Sequence, residues 1–473
     1  MKSVSAKAYK SRRGFIKDMA YSSVGFTIIP RHVMGGKDYV APSDKVVLGI
    51  IGAGGKGRQN TSALLELEDV SMAALADPAE YWNLEDFYYR SEAGRGPVEE
   101  MINKHYQSSI PNYSVKAYKD FRVMLETEKD IDAIVCSTPD HTHAYISILA
   151  MQMDKHVYCE KPLTHNIWEA RKVRELATAR GLATQMGNSG HSRDGIRSTV
   201  EYIRAGIIGP IKEVHAWVPA TRWLPGREGL PKGSTPLPDG MDWDLWLGPT
   251  EKIPYHSDFS PVTWRDFWIF GCGALGDFGC HDLDAATWAL NLQAPVSVEV
   301  KPAGLSNSEI APYGEIGYYK FDKMGDQKEV DLTWYSGGLQ PPRPELLPDN
   351  EELPRRGTMF VGEKGLILND GGNRFPIVYP ESLRESERPA PTIPRSNGHF
   401  RDWIDAIKDG SESSANFAYG ARLTEITLLG VLSLRLGGQK IYWDAKAMKA
   451  IGLDNADKLI REPVRKGWEF PDL

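Results

Sequence analysis

The chain has 473 residues, enough for two ordinary domains. Apolar residues make up 41% and charged residues 25%, and 56 basic against 63 acidic side chains leave a formal charge of −7 with no long run of either sign. This excludes the clustered basic face of a nucleic-acid binder, and no stretch approaches the roughly 18 unbroken apolar residues of a membrane span.

The first element is residues 11–17, SRRGFIK. Arg12, Arg13, Phe15 and Lys17 agree in order and spacing with the twin-arginine export signal, which the segment resembles. A mildly apolar stretch, 19–30, follows as the body of a signal peptide. A tail that happens to hold two arginines is the alternative. The expectation is a signal and linker over 1–41, export by the twin-arginine machinery and a periplasmic location. The four cysteines, Cys136, Cys159, Cys272 and Cys280, form no close pair of the metal-site type and are too few for a disulfide scaffold. Buried thiols are expected.

After the signal, an apolar run at 46–51 precedes a glycine-rich turn and a helical stretch with Leu64, Leu65 and Leu67. Apolar runs recur at 72–76, 131–136 and 157–159, with helical segments between them. Short buried strands alternating with helices predict a doubly wound parallel sheet over 42–187. The texture then changes. Segment 219–263 is rich in proline and glycine, and six of the 13 tryptophans fall within 217–268. Strand-like runs at 296–300, 316–321 and 330–334 are not separated by helices of crossover length. They predict an α+β domain over 188–473 with an open, mostly antiparallel sheet. Segments 337–358 and 371–398 read as surface loops, and helical pattern returns at 399–408 and 422–436.

Residues 46–60 are VVLGIIGAGGKGRQN, in which Gly52, Gly54 and Gly57 make G-x-G-x-x-G between a strand and a helix. The first glycine allows the tight turn, the second a close pyrophosphate and the third close helix packing. Gly55 and Lys56 complete the loop. Asp77 closes the second strand twenty residues beyond Gly57, where an acid would accept hydrogen bonds from the adenosine ribose. A turn or cap former is the plainer role for it. Its charge would repel a 2′-phosphate and Pro78 follows it, so NAD is preferred to NADP.

The third strand end reads IVCSTPDHTHA, 134–144, and the fourth HVYCEKPLT, 156–164. With QMGNSGHS at 185–192 and GALGDFGCHDLD at 273–284, these resemble the glucose–fructose oxidoreductase / inositol dehydrogenase / MocA family. The resemblance covers nearly everything from Lys45 on. Met153 and Asp154 depart from it, standing where the family usually has Ala-Gly. It implies a Rossmann domain followed by an open-sheet domain, with the active site between them and a homo-oligomer, dimer or tetramer, packed through the sheet. It further implies cofactor contacts from Thr138, Pro139, His141, His143, Glu160, Lys161 and Asn188.

Oxidising an alcohol needs a base for the hydroxyl proton, positive charge near the developing alkoxide and a fixed hydride acceptor. Lys161 ends an apolar strand and is placed to supply the charge; a structural pair with Glu160 is the alternative. Asp277 and His281 are four apart and share a helix face, with Asp284 at i+7. On pattern alone, a capped helix with a core histidine is equally open. The resemblance implies His281 as general base and Asp277 as its partner, a carboxylate that would favour the imidazolium. His141-x-His143 finds no Cys or Asp cluster to complete a coordination sphere, so no metal is expected. His191 is a substrate contact or a helix cap. Trp264 and its neighbours Trp223, Trp243, Trp246 and Trp268 are core residues or platforms for sugar faces, and Arg265 is a candidate substrate clamp.

Free NAD is not expected outside the cytoplasm, so an exported chain must fold around it first and keep it. The hydride must then be returned in the same site. Three functions follow. The first is an NAD-dependent oxidoreductase of a sugar or polyol. The second is an NAD-dependent glycoside hydrolase working by transient oxidation and elimination. The third is a sugar-binding protein with a vestigial site, against which the presence of Lys161, Asp277 and His281 together counts.

Overall fold

The structure is a computed structural model that describes residues 42–323, 328–370, 375–386 and 389–470. Arg12, Arg13, Phe15 and Lys17 of the export signal lie outside the described residues. The chain divides into compact units Met1–Lys45 and Val46–Leu473, and the fold below is that of the second.

Strands β1 (Val46–Ile51), β2 (Val70–Ala76), β3 (Lys116–Tyr118), β4 (Ala133–Cys136), β5 (His156–Cys159) and β6 (Thr184–Met186) form one sheet in the order β3-β2-β1-β4-β5-β6. Every neighbouring pair is parallel. Strands β1, β4, β5 and β6 are buried along nearly their whole length, which is why they read as continuous apolar runs. The order reverses between β1 and β4, and the crevice beyond their carboxyl ends is where such a sheet takes a ligand. Helix α1 (Gly55–Leu65) follows β1, α2 (Asp140–Gln152) follows β4 and α3 (Ile167–Arg180) follows β5. Asp154 closes the turn after α2 at φ 58°, a left-handed position that Asp tolerates where glycine is the usual choice. A capping box of Asn166 and Glu169 starts α3, and Gly181 ends it.

The second sheet has nine strands: β7 (Ile211–Trp217), β8 (Ser297–Ala303), β9 (Gly314–Phe321), β10 (Val330–Tyr335), β11 (Gly357–Gly362), β12 (Leu366–Asn369), β13 (Ile377–Tyr379), β14 (Ile441–Asp444) and β15 (Lys449–Ala450). They lie in the order β13-β12-β11-β7-β10-β9-β8-β14-β15, antiparallel except for the parallel pair β7–β10. The expected mixed architecture is therefore present. The expected loop 371–398 is corrected where it is described: it holds β13 and a short helix, Glu381–Ser386. Three apolar residues between Pro376 and Pro380 carry too little pattern to reveal a strand.

Helices α4 (Gly273–Asp282), α5 (Asp284–Ala289), α6 (His399–Asp409) and α7 (Phe417–Arg435) are among the other helices of the unit. By length and composition α7 could cross a membrane, but 83% of its apolar window is buried inside the protein. It packs against α3 on one side and against α4 and β8 on the other. One apolar core thus runs from Ala76 and Ile134 through Val173 and Leu429 to Val214 and Leu332. Helix α6 returns to the first sheet, where Trp403 and Ile404 pack with Leu48 and Tyr158. Arg401 and Lys408 of α6 reach Asp69 at 2.6 and 2.7 Å.

The fit around α7 is close. A Cβ on Gly430 would stand 2.1 Å from the Tyr319 hydroxyl and 2.5 Å from a Leu275 methyl. Gly430→Ala is expected to lower stability by about 1–3 kcal/mol. Adding Tyr319→Phe, which removes the clashing oxygen, should restore part of it; denaturant titration of the three proteins measures both effects.

Candidate active site

The loop after β1 lines a cavity of about 880 Å³, counting its open mouth, together with Asp77, Thr138, Pro139, Trp264 and Arg265. Gly52 has φ 90°, and a Cβ there would meet the Ser137 backbone at 2.7 Å. A Cβ on Gly57 would stand 1.9 Å from the Gly52 carbonyl oxygen, so α1 packs against the strand only with glycine here. Gly54 faces open space and caps α1 with no side-chain bond, leaving the helix N–H groups for an anion. Asp77 accepts from the Ala53 and Ala79 N–H groups at 2.6 and 2.8 Å. Burial, against those bonds, pushes its pKa up to about 6. Arg95, whose charge Asp77 feels, is committed to the Asp77 carbonyl and the Glu80 carboxylate. A cradle that excludes side chains, an uncapped helix start and a buried acid together fit NAD.

Farther along, Asn60 donates to Ser137 Oγ at 3.0 Å and to Glu160 Oε1 at 2.8 Å. Lys56 Nζ lies 3.6 Å from the same carboxylate, so Glu160 ties the start of α1 to the end of β5. Both buried histidines of the HTH sequence face backbone carbonyls. His141 meets Phe270 and Trp246 at 3.3 and 3.0 Å, and His143 meets Pro162 and Thr138 at 2.8 Å each. Burial pushes the His141 pKa down to about 3. These rings brace the loops around the cavity. The fold also brings Cys136 and Cys159, paired in register on β4 and β5, to within 4.8 Å of His143, a grouping that the spacing of the sequence did not reveal. Both His143 ring nitrogens are already engaged there.

Lys161 leaves β5 and crosses to α4. Its ammonium donates to Asp277 Oδ1 at 2.5 Å and to the Asp277 carbonyl at 2.8 Å. Arg265 Nε lies 3.6 Å from the same carboxylate oxygen, and its guanidinium stacks 4.2 Å from the Trp264 ring. Arg265 is thus a second cation on Asp277, and Trp264 is 8% exposed. Burial would raise the Asp277 pKa, but Lys161 and Arg265 hold it well below the carboxylate range. Burial opposes the Lys161 charge and Asp277 outweighs it, so the lysine pKa rises.

Two expectations are corrected at α4. Asp277 makes no hydrogen bond to His281 among the described residues; a full cation has captured its carboxylate. Burial, then the charges of Lys161 and Arg356, hold the His281 pKa well below its ordinary value, against the pull of Asp277. The helix also breaks after Asp282, so Asp284 leaves the shared face. It accepts from Asn188 Nδ2 at 3.1 Å and faces His191 Nδ1 at 2.9 Å, with the Tyr419 hydroxyl donating to it. His191 is fully buried and stacked 4.0 Å from Trp288, placing it behind the site and not in the cavity. Asn188 is equally buried, and its Oδ1 has no partner among the described residues. Sequence pattern missed Asn60 and Arg356, and also Tyr89, whose ring covers Gly55; none belongs to a spacing motif.

Residues 46–188 match a family model described as an oxidoreductase family, NAD-binding Rossmann fold, and 207–331 match the model of that family's C-terminal alpha/beta domain. The chain is 26% identical over 170 residues to levoglucosan dehydrogenase of Pseudarthrobacter phenanthrenivorans, covering 36% of this chain and 35% of that protein. It is 28% identical over 184 residues to a glycosyl hydrolase family 109 protein of Shewanella woodyi, covering 38% and 35%. The chain therefore spans about a third of the length of these two relatives. The WlbA dehydrogenase of Bordetella pertussis, solved with NADH and UDP-GlcNAcA, has a TM-score of 0.55 at 16% identity, over 85% of this chain and 99% of that one. That likeness is one of fold.

The charges around His281 have a measurable consequence. In histidine-labelled protein followed by NMR, His281 is expected to titrate well below pH 6.5. Arg356→Gln should move the midpoint upward, because a charge opposing protonation is gone; an unmoved midpoint would contradict this electrostatic account.

Proposed function

The chain belongs to the oxidoreductase family of glucose–fructose oxidoreductase, inositol dehydrogenase and MocA, and on that premise we propose that it oxidises a sugar or polyol hydroxyl with a tightly held NAD. The observation that carries this is the placement of His281 one helical turn from Asp277 in the Lys161–Asp277 pair, which Arg265 links to a cavity fitted to NAD. When bound, NAD supplies the hydride acceptor. Lys161 has three N–H donors and gives two to Asp277, leaving one for the substrate oxygen. Its charge stabilises the alkoxide as the hydroxyl proton leaves. An imidazole nitrogen of His281 takes that proton, which it can do only when neutral. Asp277 orients the ammonium and keeps it charged, and Arg265 holds Asp277 from the other side.

Levoglucosan dehydrogenase among the relatives supports a carbohydrate substrate. The match to a glycosyl hydrolase family 109 protein favours a second reading. There the sugar is oxidised transiently, loss of the acidified neighbouring proton expels the aglycone by elimination, water adds to the unsaturated ketone, and the ketone is reduced again. Products separate the two: a keto-sugar in the first case, a released aglycone without net redox change in the second. The SRRGFIK segment supports export of the folded, loaded protein to the periplasm by the twin-arginine machinery. A dimer or tetramer packed through the open sheet would cover Tyr318 on β9 and Tyr442 on β14, now 49% and 54% exposed.

Protein purified without added cofactor and then denatured should release close to one nicotinamide nucleotide per chain. His281→Ala should keep that nucleotide while kcat falls by about 10²–10⁴-fold. Full turnover in the variant would remove the base assignment. In the wild type, rate should fall as pH drops through the His281 pKa, placing the acid limb below the usual histidine value of about 6.5.

A further inference from the structure

Two open cavities flank helix α4. One, of about 690 Å³, holds His281, Asp282, Arg193 and Arg356. The other, of about 850 Å³, begins at Asp277 and Phe278 and runs past Arg265 to Trp223. The Arg356 guanidinium, which lines the first, lies 5.3 Å from the ring of Phe278, which lines the second. His281 lines one lobe, and Asp277, the partner of Lys161, lines the other. A hydroxyl reacting between them therefore leaves the rest of its molecule in both, and each lobe by itself is within the roughly 300–1,000 Å³ of a ligand site.

A row of aromatic rings runs from the nucleotide loop to Trp223, which lines the second lobe. Tyr89 packs on Gly55 of the nucleotide loop. Tyr88 lies 4.0 Å from Tyr89, and Trp223 is stacked 5.9 Å from Tyr88 with 26° between the planes. Tyr88 is 57% and Trp223 37% exposed, whereas Trp246, Trp264 and Trp268 of the same loop region are buried. Trp223, at the end of the row, lines the same lobe as Arg265 and Asp277. Asp266 holds the Trp223 loop by accepting from the Trp223 and Leu224 N–H groups at 2.9 and 2.7 Å. Large aromatic faces left open at the mouth of a polar site mark a contact surface.

We propose that Tyr88 and Trp223 form a subsite for the ring attached to the reacting sugar, so that the substrate is a glycoside with a second ring and not a free monosaccharide. This rests on the oxidoreductase reading and names its substrate class. The test is calorimetric binding of phenyl and methyl glycosides of glucose, galactose, mannose and xylose to the purified, NAD-loaded protein. For at least one sugar the phenyl glycoside should bind about tenfold more tightly, as an aromatic contact provides. Trp223→Ala should bring the phenyl-to-methyl ratio close to one, and Trp223→Phe should largely keep it. Equal affinity across the panel, no binding by any member, or a ratio unchanged in Trp223→Ala would overturn the subsite. Nucleotide content and oxidation of the methyl glycosides are read separately. A protein that holds NAD and oxidises methyl glycosides without a phenyl preference keeps the underlying reading and loses the subsite.

Discussion

The Lys161–Asp277 ion pair is the constraint on which the site depends. Its side chains are 15% and 17% exposed, and it joins the end of a strand in the first sheet to a helix of the second layer. A buried charge without a partner costs several kcal/mol, and removing one member of such a pair typically costs about 3–5 kcal/mol. The two layers must therefore meet at the position that brings these groups within 2.5 Å. That meeting sets the charge on Lys161, which joins burial and Arg356 in holding the His281 pKa low. One contact serves the assembly of the layers and, in the proposed reaction, the proton chemistry.

The pair is held by a core that does not divide between the layers. Helix α7 lies between α3 of the first layer and α4 and β8 of the second. Its Glu425 accepts from Arg171 of α3 at 2.6 and 3.0 Å. Helix α6 then crosses back to cover the first sheet. Cavity walls fixed in this way need little reorganisation when charge develops between them. The proline-rich segments contribute differently. Most of their aromatic residues pack into a small core of their own around Trp246, Phe259 and Phe270. Trp223 stays outside that core, as an exposed side chain on an anchored loop, the usual arrangement for recognition on a rigid scaffold.

Local signals in the sequence were reliable. The glycine spacing, the acid that ends the second strand and the apolar runs of β1, β4 and β5 each depend on neighbours close in the chain. Motifs that named functional residue types were less so. His141, His143 and His191 stand in conspicuous patterns, yet each ring is buried against carbonyls or a carboxylate. Asp277 and His281 do share a helix, but the carboxylate chose a lysine 116 positions away. Periodicity carries no information about such a choice.

By itself the sequence determined the parallel nucleotide-binding sheet, the preference for NAD and the residue types present at the candidate site. These follow from backbone sterics, strand burial and chemistry that act over a few residues. Only the tertiary structure decided who partners whom: Lys161 with Asp277, Asp284 with Asn188 and His191, Tyr88 with Trp223. Charges and ring faces are satisfied by whichever group the packed core brings nearest, and that distance is a property of the fold and not of the chain.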